Sequence, residues 1–236
     1  ADVPVGAYLS GGLDSSATTA IIHRYSSHRL KTFSVGFEDP AYDESQWQRA
    51  MAKHIGTEHE IIVTGPEDIA GRFQKVIWHA ESPVLRTAPA PLHALSGLVQ
   101  KEKFKVVLTG EGADEVFVGY NIFREAKVRK FWSRDPASRS RSALLARLYP
   151  YLAQSPPEFS RKFYGAGLDQ PDDPFFSHRP RWSNTAPVAR FLSDRAIGGH
   201  PAGPAHERLL ESLPEDFSGW GTVARSQYVE MTTFLA

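Results

Sequence analysis

Two adjacent glycines, Gly11 and Gly12, separate a short apolar run, Val3–Leu9, from a segment in which Leu13, Ala17, Ala20 and Ile21 recur at helical spacing. A strand that runs into two residues without a Cβ can turn sharply, and the turn brings successive backbone N–H groups towards one point. The helix that follows offers its unpaired first-turn amides and the positive end of its dipole to the same point. Ser10, Ser15 and Ser16 add hydroxyl donors. The string Ser10-Gly11-Gly12-Leu13-Asp14-Ser15-Ser16 therefore reads as a nest for a phosphate-like anion. Asp14 is out of place in such a nest, because like charges repel, unless a divalent cation binds carboxylate and anion together. An ordinary turn with Asp14 near a helix start is the alternative. The string is not a Walker A loop, since the closing Lys-Ser/Thr is absent.

Strand and helix patterns alternate beyond this point. Leu30–Val35 is a second predicted strand. Trp47, Ala50, Met51 and Ile55 mark a helix that starts near Tyr42-Asp43-Glu44 and stops at Gly56. His59–Val63 is a third strand, and Pro66 opens a helix carrying Ile69, Phe73, Val76, Ile77 and Ala80. A Pro-rich stretch, 82–91, leads into a helix up to Glu102, and Phe104–Leu108 is a fourth strand. The alternation predicts an α/β core, 1–122, with a doubly wound parallel sheet, right-handed crossovers, and apolar strands buried under helices on both faces. Ligands bind beyond the carboxyl ends of such strands, where Ser10–Ser16, Gly36–Asp39 and Thr109–Glu115 all fall. Residues 123–236 are expected to form a mainly helical and irregular continuation. Within it 150–187 is irregular, and helices resume over 205–213 and 223–235.

The string Thr109-Gly110-Glu111-Gly112-Ala113-Asp114-Glu115 is a second strand-turn-helix switch. Its three carboxylates repel one another unless a cation or a cationic substrate offsets them. Asp114 suits a magnesium ion shared with Asp14, and Glu111 sits where a reacting carboxyl or amine could meet it. Solvated carboxylates capping a helix are the alternative. Phe33-Ser34-Val35-Gly36 ends the second strand, where backbone groups could read an adenine edge with Val35 against the ring; a plain core strand fits the same residues. Arg86, beside Thr87, could grip a carboxylate or phosphate with its planar fork, or form a surface ion pair. The basic stretch 124–147 reads as a solvated helix face or loop, because aromatics are not regularly interleaved with its charges. Lys plus Arg and Asp plus Glu both number 27, so no global field favours nucleic acid or an anionic membrane. No apolar run is long enough to span a bilayer. Zero cysteines exclude thiolate catalysis and Cys-ligated zinc. With no secretory pattern at the N-terminus, the expected location is the cytoplasm.

Together these strings resemble the synthetase domain of the glutamine-hydrolysing asparagine synthetases, within the ATP-pyrophosphatase superfamily. The residues that carry the resemblance are Val5–Ser16, Thr32–Phe37, Tyr42-Asp43-Glu44, Gly56-Thr57-Glu58-His59 and Thr109–Tyr120. Phe175–His178 and Arg181-Trp182 fit more loosely. The resemblance implies an adenine-nucleotide-alpha-hydrolase-like core that uses ATP and Mg2+. It sets Leu9, Ser10, Gly11, Gly12, Leu13, Asp14, Ser15, Ser16, Val35, Gly36, Gly110 and Glu111 around the nucleotide. It gives Asp14 and Asp114 to the metal, Glu111 to the amination step, and Arg86, Thr87 and Glu115 to the acceptor. The implied reaction has two stages. The side-chain carboxylate of aspartate, or of a related substrate, attacks the α-phosphorus and expels pyrophosphate; ammonia then displaces AMP from the acyl carbon. Ammonia would come from a glutaminase domain that this chain lacks, and family segments expected after Ala236 are also missing. The helical continuation is therefore expected to be truncated and the chain inactive alone, with a homodimer left open. A β-lactam synthetase-like or other adenylating enzyme of the superfamily, or a non-catalytic nucleotide-binding domain, are the alternatives.

Overall fold

Four parallel strands, β1 (Val5–Tyr8), β2 (Lys31–Phe37), β3 (Glu58–Thr64) and β4 (Val106–Leu108), form one sheet in the order β3-β2-β1-β4. The structure is a computed structural model that describes residues 2–25, 29–81, 84, 86–150, 156–191, 193 and 205–234. The chain forms two units, Ala1–Glu111 and Gly112–Ala236, and the sheet belongs to the first. Its connections run through α1 (Leu13–Tyr25), α2 (Ser45–Ile55), α3 (Pro66–Ala80) and α4 (Pro89–Lys101). The path steps outward from β1 to β3, then returns to the far side of β1 for β4. Right-handed crossovers therefore put α1 and α2 on one face and α3 and α4 on the other. In keeping with this, α1 packs on α2 and α3 on α4. The chain direction switches between β1 and β4, and the loops that follow these two strands leave the sheet side by side.

The predicted α/β class and parallel order hold. The α4 side is sealed by Phe33, Leu95 and Val99, with Phe104 edge-on to Phe33 at 5.3 Å. Two expectations need correction. β4 is an edge strand among the described residues, and Val106 and Leu108 are 40% and 43% exposed, so it is not buried on both faces. In α2 the buried face is Gln48 and Ala52 rather than Trp47, Ala50, Met51 and Ile55, and Trp47 is exposed.

The second unit is helical among the described residues: α5 (Ala113–Phe117), α6 (Asn121–Trp132), α7 (Arg139–Ala143), α8 (Leu145–Leu148), α9 (Pro157–Tyr164), α10 (Arg179–Thr185), α11 (Ala205–Glu211) and α12 (Thr222–Thr233). Helices α9 and α10 lie in the stretch expected to be irregular. Prolines sit in their first turns, where a missing N–H costs nothing, so those prolines start helices rather than mark loops. Trp132, Leu145, Tyr149, Tyr164, Leu168 and Phe176 make one core cluster. Phe175, Phe217 and Val229 make another.

The basic stretch is not wholly a solvated face. Glu125 and Arg129, one turn apart on α6, are completely buried. Glu125 accepts two hydrogen bonds from the Arg181 guanidinium, at 3.0 and 2.8 Å, and one from the Tyr149 hydroxyl at 2.7 Å. Arg129 donates to the carbonyls of Tyr164, Phe176 and Ala166, and its guanidinium lies 4.2 Å from the centre of the Phe176 ring. Burial brings the pKa of Arg129 down to about 10. No helix of the described residues is long and apolar enough to cross a membrane.

Candidate functional site

The loop after β1 is held open by its own polar groups. Ser10 N–H donates to Ser15 Oγ at 3.1 Å, the two serine hydroxyls bond each other at 2.8 Å, and Gly12 N–H donates to Ser10 Oγ at 3.3 Å. The first intrahelical bond of α1 runs from Ser16 N–H to Gly12 O at 3.1 Å. The amides of Leu13, Asp14 and Ser15 precede it and have no partner within the helix. Two of the three serines thus fix the loop rather than offer free donors. The third, Ser16, is buried, and its Oγ has no hydrogen-bond partner among the described residues. Unpaired amides at a helix N-terminus fit a bound phosphate group, and the orphaned Ser16 hydroxyl lies in the same turn.

Two glycines are required by close approach. Gly11 has φ 83°, and a Cβ there would lie 2.9 Å from Trp47 Cβ and 3.0 Å from Gln48 N, so the first turn of α2 presses on the loop backbone. Gly110, in the loop after β4, would put a Cβ 2.8 Å from Ser15 N and 3.1 Å from Ser15 Cα. The backbone at Gly110 therefore rests on the first turn of α1. Glu111 beside it is exposed, and its N–H donates to Thr109 Oγ1 at 3.2 Å.

At the end of β2, Val35 is half-buried with its side chain against the Phe33 cluster, and its carbonyl accepts from Gln48 Nε2 at 2.9 Å. Leu9 is 1% exposed; its side chain is in the core, while its carbonyl accepts from Ser34 Oγ. Leu13 is 83% exposed at the start of α1. Gly36 is buried against Asp43, whose Oδ1 accepts from Phe37 N–H at 3.1 Å. The Ser45 hydroxyl on Asp43 Oδ2, and then the Phe37 amide, hold the Asp43 carboxyl below the usual carboxylate range. Arg86 and Thr87 are exposed just ahead of α4. Asp43, Trp47 and Gln48 shape this region, although the sequence pattern marks Asp43 and Trp47 only as parts of a helix and singles out Gln48 for nothing. The Asp43-x-Ser45 turn signal was the readable one; a polar Gln48 on the buried face of α2 had no signal at all.

In the second unit Asp114 is half-buried, its carboxylate against the backbone of Gly119, where any side chain would collide with it. Glu115 is 6% exposed, and its Oε2 has no hydrogen-bond partner among the described residues. Its backbone carbonyl and that of Val116 accept from Gln227 Nε2 on α12, at 3.1 and 2.7 Å. Glu111 is therefore a solvated carboxylate and Glu115 is not, and neither caps α5, whose N-cap is Gly112 with no side-chain cap bond. No group of three His, Asp or Glu side chains among the described residues gathers as a metal site. Asp14, half-buried in the first turn of α1, fits magnesium only as the ion usually binds with nucleotides, through one or two carboxylates with phosphate and water oxygens completing the shell.

Over residues 1–236 the chain matches the family model described as asparagine synthase. It is 38% identical over 143 residues, 61% of the chain, to a Bacillus subtilis (strain 168) protein named asparagine synthetase (glutamine-hydrolyzing) 1. It is 32% identical over 250 residues, 100% of the chain, to a putative asparagine synthetase (glutamine-hydrolyzing) of Mycobacterium bovis. A Penicillium rubens protein named amidase chyE is 36% identical over 138 residues, covering 52% of the chain and 20% of that relative. The chain spans 22% of the length of the first of these proteins and 34% of the second.

Proposed function

The chain belongs to the asparagine synthase family, and from that membership and the Ser10–Ser16 loop we propose that it carries the ATP-using site of an amide ligase. The observation that carries this reading is the pairing of two loops at the switch point. The first turn of α1 holds unpaired amides and the orphaned Ser16 hydroxyl, and the Gly110 backbone leans on the same turn. Such a site suits the phosphates of ATP, with adenine towards the end of β2 at Val35 and Gly36.

In this account Asp14 and Asp114 would hold magnesium, which would supply positive charge to the phosphates. The amides of Leu13, Asp14 and Ser15 do the same work from the protein, because they are already oriented and need no reorganisation as charge develops. A carboxylate is a poor acyl donor, since oxide leaves badly; joining it to AMP supplies a better leaving group. Aspartate, or a related carboxylate, is the acceptor, with Arg86, Thr87 and Glu115 as its proposed contacts. Glu111 takes part in the amination, either accepting a proton from the attacking amine or holding it in line. Ammonia is the proposed second substrate, with a glutaminase domain as its source; the words glutamine-hydrolyzing in the relatives' names support that source. A second reading is another adenylating, amide-forming enzyme with a different carboxylate acceptor; the 36% match to a protein named amidase chyE shows that relatives of this chain carry names other than asparagine synthetase.

The test is pyrophosphate release from magnesium-ATP by the complete protein, across a panel of amino-acid and other carboxylate acceptors. Release that depends on aspartate supports the first reading, and release with another carboxylate alone supports the second. ATP turnover with no acceptor dependence would contradict both.

A further inference from the structure

Gln48 lies in the first turn of α2, 3% exposed, between the two halves of the proposed nucleotide site. Its backbone nitrogen is one of the atoms pressed against Gly11. Its side chain reaches the other way, donating from Nε2 to the Val35 carbonyl at 2.9 Å. That bond fixes the amide's orientation, since the flipped form would set two oxygens against each other. The other end of the amide, Oε1, is buried and has no hydrogen-bond partner among the described residues. A buried amide oxygen without a donor is unfavourable, and such groups in folded proteins normally have a partner.

We infer that Gln48 reads the base: its Oε1 accepts a hydrogen bond from the exocyclic amine of bound adenine. This rests on the reading that Ser10–Ser16 holds the phosphates. The chemistry favours adenine because a carbonyl oxygen carries two lone pairs, and Gln48 occupies one of those on Val35. The Val35 carbonyl and Gln48 Oε1 thus present neighbouring acceptors, and the amine of adenine carries two N–H donors. A purine with a carbonyl at that ring position, such as guanine or hypoxanthine, would set an acceptor against acceptors and leave all of them unpaired.

The experiment titrates the 236-residue chain with magnesium-ATP, magnesium-ITP and magnesium pyrophosphate by calorimetry. Wild type should prefer ATP over ITP, and Gln48→Leu should lose about three- to tenfold in ATP affinity, the usual effect of one hydrogen bond. Pyrophosphate affinity should stay as it was, and ITP affinity should not fall, because leucine removes one of the acceptors that opposed the hypoxanthine carbonyl. Equal binding of ATP and ITP to wild type overturns the inference without any variant, which covers the case of Gln48→Leu failing to fold. Equal weakening of all three ligands by Gln48→Leu overturns it too, and assigns Oε1 to an internal water or to packing. Failure of wild type to bind magnesium pyrophosphate at all instead refutes the phosphate-loop reading, and this inference falls with it.

Discussion

Replacing Gly110 with alanine probes the contact between the two loops directly. The added Cβ would stand 2.8 Å from Ser15 N, 3.1 Å from Ser15 Cα and 3.2 Å from Asp14 C. All three are backbone atoms of the first turn of α1, so no side chain can swing away to relieve the contact. Restoring ordinary separation parts the two backbones by roughly half an ångström, and overpacking of this kind costs about 1–3 kcal/mol of stability. The amides that move are those proposed to hold phosphate. If a misplacement of about 1 Å costs on the order of a hundredfold, half of it should weaken magnesium-ATP binding about tenfold, or about 1.4 kcal/mol. Gly97→Ala is the control. Gly97 lies inside α4 with no heavy atom within 4 Å of its would-be Cβ among the described residues, so alanine should gain about 0.5–1 kcal/mol there and leave binding alone. Denaturant unfolding and calorimetric titration of both variants separate the two effects. A Gly110→Ala protein that matches Gly97→Ala in stability and in ATP affinity would refute the reasoning.

Three further outcomes are expected. Arg181→Met should cost about 3–5 kcal/mol, because it strands the fully buried Glu125 carboxylate; Glu125→Leu should cost less, because the partly exposed Arg181 can turn to water. Equal losses in denaturant unfolding would show that burial of Glu125 is not the controlling factor. Burial pushes the pKa of His59 below its ordinary 6.5, so the folded state prefers the neutral ring and the unfolded chain takes up a proton first. Stability from this group is therefore complete above about pH 6.5 and lost below it, and His59→Asn should shrink the fall in Tm between about pH 7.5 and 5.5; an unchanged fall would assign the acid sensitivity elsewhere. Gly119→Ala should push the Asp114 carboxylate from its seat and raise the magnesium concentration needed for half-maximal pyrophosphate release, and an unchanged magnesium dependence would remove Asp114 from the proposed metal set.

Much of the first unit was legible because its signals are local. Paired glycines before a helical period, and Gly56 and Pro66 at helix limits, act through φ and the missing N–H of their own residues. The inward face of helix α2 escaped, although the helix itself was legible, because its orientation is decided from outside. The backbone of Gly11 must pass against its first turn, and the Val35 carbonyl needs a donor, so a glutamine rather than the neighbouring tryptophan turns inward. The same holds for α6, where charge alone suggested a solvated face. The partners that make burial of Glu125 and Arg129 tolerable come from positions 149–181, and no short window displays them together. In the candidate site, Ser10–Ser16 announced itself by composition. Gly119 and Gln48 acquire meaning only through what lies across from them.

The central claim is that Ser10–Ser16 holds the phosphates of magnesium-ATP with Asp14 on the metal, and calorimetric titration of magnesium-ATP into wild type and Asp14→Ala tests it most directly. Asp14 is only half-buried, so its loss should leave the unfolding midpoint nearly unchanged. The account predicts saturable binding to wild type, and at least about tenfold weaker binding to Asp14→Ala, in line with removal of a charged contact. Equal affinity of the two proteins for magnesium-ATP would contradict it.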